Sequence, residues 1–247
     1  MVTSTPAATF RGFPPAALGL LRQVRAANDR DWLAAHREQF DRQVIDPFRA
    51  LVTALAELML DIDPGFEVRP TVGRTISRVH RDTRFSRDKS LYRDHMWLAF
   101  KRPRSDWQGW PAYFFEVTPD DYRYGMGYYA AGRATMDALR RRIDSNPSGF
   151  LRTVGPVVRE GRFRIAGDRY VRPIHNQHAE ALQDWYQSKS VYLVRQCAAD
   201  DLLFSPELLD ELESGFHLLA PLYRVLLEVG HEAEGQRGRG DARRGGV

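Results

Sequence analysis

The segment Arg78–His95 concentrates side chains that can bind an anion or transfer a proton. It combines arginine, lysine, aspartate, serine, threonine, tyrosine and histidine, and its few large apolar residues follow neither the period of a strand nor that of a helix. Cations at this density favour contact with a phosphate or carboxylate group. The same side chains could instead form a purely structural network of ion pairs, and the sequence leaves both interpretations open.

Under the first interpretation, the segment forms an enzyme-like site for a small anion-bearing molecule. The predicted anion-binding residues are Arg78, Arg81, Arg84 and Lys89. The predicted proton-transfer residues are His95, Tyr92 and Asp82. Supporting roles are predicted for Ser86, Asp88, Glu116, Tyr124 and Arg172. The sequence names no cofactor and no reaction, so whether the protein is an enzyme stays open.

Other chemistries receive less support from the same residues. His80-Arg81-Asp82 begins like a kinase catalytic loop, but position 87 holds arginine where that loop needs asparagine. Two groups of residues contain potential metal ligands. The first group is His80, Asp82, Asp88 and His95, and the second is His175, His178 and Glu180. Neighbouring arginines repel a cation at the first group, and the second lies where a helix start is predicted, so we predict no metal site.

The basic charge of the chain is local. The net charge is +4, while residues 74–95 carry +4 and residues 234–247 carry +2, which leaves −2 for the remaining residues. A general polyanion-binding surface is therefore not expected.

The alternative function is a non-catalytic nucleic-acid-binding protein that uses the same segment and the Gly/Arg-rich tail. A loop with interleaved cations and aromatic rings favours it, and its residues are Arg102, Arg104, Trp107 and Trp110.

Helical spacing and strand-like runs alternate along the chain and predict an α+β fold. Helices are expected after Pro14-Pro15, after Asn28-Asp29 as N-cap, from Asp46-Pro47, and over 134–143, 149–158, 180–197 and 206–229. Strands are expected over 96–100, 113–117, 122–130 and 163–165. We therefore predict a central antiparallel sheet with N-terminal and C-terminal helices. Gly125 and Gly127 indicate a bulge or a close backbone approach.

No linker or composition shift marks a boundary, so one domain is predicted over residues 10–230. Residues 1–9 are predicted to be flexible, and residues 231–247 are predicted to be a disordered Gly/Arg-rich tail. The single cysteine, Cys197, cannot form an internal disulfide, and no signal peptide or membrane-length apolar run is found. These features predict a cytoplasmic protein without membrane contact.

The residues from Arg81 to His95, RDTRFSRDKSLYRDH, resemble the hallmark of the microbial family called domain of unknown function 2461, which typically reads RDTRFSKDKSPYKxH. Leu91 stands where the family favours proline, and Arg87 and Arg93 keep the charge of the family's lysines. The resemblance extends from about Phe10 to about Leu227.

Further similarities lie in Phe10–Phe13, Asn28–Leu33, Gly125–Tyr128 and Arg172-Pro173. The resemblance implies an α+β fold and no particular activity.

Overall fold

The computed structural model describes residues 9–84 and 88–244, with side chains as far as residue 236. Its helices are α1 (Pro15–Ala27), α2 (Arg30–Ala35), α3 (Arg37–Phe40), α4 (Asp46–Ile62), α5 (Arg133–Ser145), α6 (Pro147–Glu160), α7 (Glu180–Tyr186) and α8 (Leu208–Arg244). Its strands are β1 (Met96–Phe100), β2 (Pro111–Val117), β3 (Asp121–Tyr128), β4 (Arg164–Ala166) and β5 (Tyr192–Ala198). The strands form one antiparallel sheet in the order β1-β2-β3-β5-β4. The predicted α+β class, with helices at both ends of the chain, is confirmed.

Two predicted helices differ from the observed ones. The single helix predicted over 180–197 is wrong, because α7 ends at Tyr186 and the following residues form β5, which pairs with β4 through Leu193 and Ile165. The run Val191-Tyr192-Leu193-Val194 has high β-propensity, and its place inside the sheet outweighs the apparent helical spacing.

The last helix is longer than predicted. α8 continues past the expected end at Val229 and into the segment predicted to be a disordered tail. Ion pairs hold this extension, because Arg142 binds Glu232 at 3.2 Å and Arg104 binds Glu234 at 2.6 Å. No helix among the described residues is long and apolar enough to cross a membrane.

The described residues divide into two compact units. The first is drawn from 1–100, 114–124 and 196–215, and the second from 101–113, 125–195 and 216–247. The single domain expected over 10–230 stays a prediction, as does the flexible N-terminus, of which only residue 9 is described.

An aromatic cluster forms the core of the first unit. The ring of Phe13 lies 4.9 Å from that of Phe48 on α4 and 5.7 Å from that of Phe115 on β2. The backbone N–H of Phe13 donates to the carbonyl oxygen of Leu203 at 3.0 Å. Gly12 precedes this contact with φ at 88°, and a Cβ there would lie 2.4 Å from the backbone of Phe204. The Phe-x-Gly-Phe motif therefore docks the start of the chain.

In the second unit, two glycines of β3 allow the backbone of β5 to come close. A Cβ on Gly125 would lie 1.8 Å from the carbonyl oxygen of Leu193, and a Cβ on Gly127 would lie 2.4 Å from the Cα of Tyr192. The close backbone approach predicted at these glycines is confirmed, and the approaching element is β5.

Candidate functional site

The segment that the sequence singles out is an irregular hairpin, formed by residues 76–98 of the first unit. Isolated antiparallel bridges join Ile76 to Leu98 and His80 to Tyr92. Between them, the N–H of Ser77 donates to the carbonyl of Trp97, at 2.8 Å. The second arm of the irregular hairpin continues directly into β1, so the sheet fixes its position. Its connecting loop is described at residues 81–84 and 88–91, and the predicted supporting residue Ser86 lies outside the described residues.

Asn28 fastens the irregular hairpin to the end of α1. Its side-chain oxygen accepts hydrogen bonds from the N–H groups of Leu91 at 2.6 Å and Tyr92 at 3.2 Å, and its amide nitrogen donates to the Tyr92 carbonyl at 3.0 Å. Asn28 is the C-cap of α1 in the left-handed conformation, with φ 43° and ψ 42°. The N-cap of α2 is Asp29 alone, whose carboxylate accepts from two N–H groups at 2.9 Å. Two segments that carry the family resemblance are thus hydrogen-bonded to each other.

Most cations of the connecting loop already have partners. The contacts are Arg84 with Asp82 at 2.7 Å, Arg81 with Asp88 at 3.2 Å, and Lys89 Nζ with the carbonyl oxygen of Thr83 at 2.8 Å. The hydrogen bonds from Arg84 lower the pKa of Asp82 to about 2. Bonding to Ser90 likewise lowers the pKa of Asp88. In this loop the geometry matches the structural alternative, in which acidic and basic side chains serve each other.

Arg78 differs from the other predicted anion-binding residues. Its side chain is exposed, and among residues 9–84 and 88–244 no group forms a hydrogen bond or ion pair with its guanidinium. The guanidinium lies against Gly73, where a Cβ would be 2.8 Å from Nε. Glycine at that position therefore leaves space for the Arg78 side chain.

His95 lies between two carboxylates where the irregular hairpin enters β1. Its Nδ1 is 2.9 Å from Oδ1 of Asp94, and its Nε2 is 3.8 Å from Oε1 of Glu116. The imidazole stacks on Trp97 with a centroid distance of 5.7 Å and an interplanar angle of 23°. Its side chain keeps 29% of its surface exposed, so the histidine is both oriented and accessible.

Basic side chains restrain both carboxylates. Arg25 of α1 is 3.7 Å from Oδ2 of Asp94. Burial raises the pKa of Asp94, but the hydrogen bond with His95 and nearby positive charge lower it below its ordinary value. Glu116 is 8% exposed, and Arg123 of β3 donates to its Oε2 at 2.5 Å.

The predicted catalytic residues do not form one group. Asp82 contacts Arg84 in the connecting loop, and within the described part of the chain no hydrogen bond or ion pair joins it to His95. Tyr92 is buried, and its ring lies 5.0 Å from that of His80.

The predicted supporting residues also lie apart from one another. Glu116 lies beside His95, whereas Tyr124 is buried and its hydroxyl donates to Glu211 of α8. Arg172 is exposed in the second unit, and its role stays a prediction.

Several residues that lie around His95 were not predicted from the sequence. They are Arg25, Arg93, Asp94, Trp97 and Arg123. Trp97 and Arg123 alternate with the buried residues of their strands, so period-two patterning could have placed both on the sheet face opposite the core. Asp94 and Arg25 carry no such signal.

These features define a class of α+β protein in which an arginine-rich irregular hairpin leads into the edge strand of an antiparallel sheet and ends at a carboxylate-bound histidine. Residues 16–224 match the family described as Conserved hypothetical protein (DUF2461), and the chain belongs to that family. A comparison with curated proteins gives no match. Within residues 9–84 and 88–244, no three His, Cys, Asp or Glu side chains are grouped to hold a metal ion.

Proposed function

We propose that the surface around His95 binds a small phosphate- or carboxylate-bearing molecule and exchanges a proton with it. The observation that carries this proposal is the position of a partly exposed imidazole between the carboxylates of Asp94 and Glu116. One imidazole nitrogen can donate a proton and the other can accept one, so the ring can serve as an acid or as a base.

The two carboxylates give the imidazole nitrogens different roles. Asp94 accepts the Nδ1–H, which leaves Nε2 as the basic nitrogen. Arg123 engages one oxygen of Glu116, and the other oxygen faces Nε2 across a gap too long for a hydrogen bond. A polar atom of a ligand beside this gap can reach both groups.

Arg78 is the proposed anion contact. Because no group in residues 9–84 and 88–236 pairs with its guanidinium, these residues leave its donors for a phosphate or carboxylate. Arg93 links the backbone of Arg78 to the surface around His95, because Arg93 donates to the Arg78 carbonyl at 2.9 Å and lies over Trp97, which in turn stacks on His95. We propose a structural role for the other three cations, which stabilise the connecting loop: Arg81, Arg84 and Lys89.

A thermal-unfolding screen with inorganic phosphate, glycerol phosphate, pyruvate and AMP tests this proposal. A ligand at a hundredfold its dissociation constant adds about 2.7 kcal/mol to the stability of the folded protein. We expect Arg78→Gln to abolish the shift, and Arg84→Gln, the matched control from the connecting loop, to retain it. His95→Gln should keep the shift and remove turnover of the bound ligand. Loss of the shift in Arg84→Gln but not in Arg78→Gln would contradict the assignment.

A nucleic-acid interface is the second candidate, and one observation in the second unit favours it. Tyr129 is 73% exposed, its ring lies 5.5 Å from that of Trp107, and Lys101 Nζ lies 3.6 Å from the centroid of the same tryptophan ring. Exposed rings beside cations are typical of surfaces on which unpaired bases stack. Salt-sensitive binding of single-stranded DNA or RNA that Tyr129→Ala weakens would support it, and absence of such binding would exclude it.

A further inference from the structure

A cavity of about 410 Å³ lies in the second unit, between the end of α5, the first half of α6 and the middle of α8. Its walls include Arg142 and Asn146, Phe150 and Thr153, and Val225. This volume is within the range of sites that hold small organic molecules. None of the site residues predicted from the sequence lines this cavity.

The polar atoms of the cavity are mainly hydrogen-bond donors. Among the lining residues, Arg142 and Arg152 carry guanidinium groups and Asn146 carries an amide NH₂. The Asn146 oxygen is already used, because it accepts from the N–H of Gly149 at 2.9 Å. A donor-rich wall is matched by a ligand that supplies acceptors, as a carboxylate or phosphate does.

The two arginines are not equivalent. Glu228 and Glu232 bind Arg142 at 2.5 and 3.2 Å, which fixes this guanidinium and more than offsets its positive charge. Arg152 is exposed, and no group in the described part of the chain pairs with it. Arg152 is therefore the main source of attraction for an anion, and Arg142 supplies its remaining donors.

Phe150 and Val225 give the cavity an apolar side. Phe150 is 5% exposed, and Trp185 packs edge-on against it at a centroid distance of 5.4 Å. This packing holds the phenyl ring in place. A flat or branched hydrocarbon group can lie against it while an attached anionic group reaches Arg152.

We infer that this cavity is a binding site for a small organic anion with an apolar body, such as an aromatic carboxylate or an aryl phosphate. The inference is independent of the proposed function at His95, because every residue that carries it belongs to the second unit.

Titration calorimetry with benzoate, phenyl phosphate and neutral benzyl alcohol tests the site in the full chain. We expect saturable binding of both anions, with benzyl alcohol at least about tenfold weaker because it lacks the charge-assisted contact. Arg152→Gln should weaken the binding of both anions by about tenfold or more, since it removes the charge-assisted hydrogen bonds from this guanidinium. Val225→Phe should abolish binding by filling the cavity.

Arg159→Gln is the matched control, because it removes the same charge from α6 outside the cavity lining. It should leave affinity within about twofold of the wild-type value. The inference is overturned if neither anion saturates by about 10 mM, a concentration at which even weak specific sites fill. It is also overturned if Arg159→Gln weakens binding as much as Arg152→Gln, or if Val225→Phe binds normally.

Discussion

Replacing Asn28 separates the irregular hairpin from α1 and gives the sharpest test of the fold. Three hydrogen bonds join the Asn28 side chain to Leu91 and Tyr92. At about 1 kcal/mol for each bond, Asn28→Gly should lose about 3 kcal/mol of unfolding free energy. For a chain of this length, that loss lowers Tm by about 6–12 °C.

Two further substitutions separate the bonds from the backbone conformation. Asn28→Ala loses the same bonds and also places a Cβ at φ 43°, so it should cost about 1 kcal/mol more than Asn28→Gly. Asn28→Asp keeps the acceptor and loses the donor to the Tyr92 carbonyl, for a cost of about 1–2 kcal/mol.

Urea unfolding measures these differences, and amide hydrogen exchange at Leu91 and Tyr92 localises them. Gln23→Ala, at an exposed position of α1, is the control and should leave stability unchanged. A Tm for Asn28→Gly within about 1 °C of the wild-type value would refute the role given to the three bonds. Equal stability of Asn28→Ala and Asn28→Gly would refute the role given to the left-handed backbone.

Three other predictions concern stability. Hydrogen bonds from Arg69 lower the pKa of Glu67 from 4.5 to about 2, so the stabilisation they represent is complete above pH 4.5 and is lost as the pH falls towards 2. The difference in urea stability between wild type and Glu67→Gln should therefore narrow over that range, and a constant difference would contradict it. Buried Arg140 donates to two backbone carbonyls at 2.9 and 2.7 Å. Arg140→Lys should lower the free energy of unfolding in urea by about 2–3 kcal/mol, because one ammonium cannot replace the planar guanidinium. An unchanged free energy of unfolding would contradict this prediction. Gly125→Ala should yield little folded protein by circular dichroism, whereas Gly109→Ala, where a Cβ meets nothing within 4 Å, should fold normally.

The elements that sequence predicts well are those with local signals. Asp46-Pro47 begins α4, and the aromatic runs predicted as strands become β1, β2 and β3. The run that forms β5 was misassigned because its partner strands are distant in sequence, and strand pairing outweighs local spacing there.

The candidate site also has features that the sequence predicts and features that it does not. The sequence identifies the charged segment, but it cannot tell which cations have partners, because the pairing depends on the path of the chain. The contact between His95 and Glu116 depends on the alignment of β1 with β2, and the bonds from Asn28 join residues more than 60 positions apart. Neither relation has a signature in composition or period.

The contact between Phe13 and Leu203 has a consequence for synthesis on the ribosome. The two residues are 190 positions apart, so about 10–40 s pass between their additions at 5–20 residues per second. During that interval the first aromatic residues of the chain lack part of their final packing surface. The docking of Phe13 is therefore completed only when the segment before α8 has left the exit tunnel, even though its partners Phe48 and Phe115 emerge earlier.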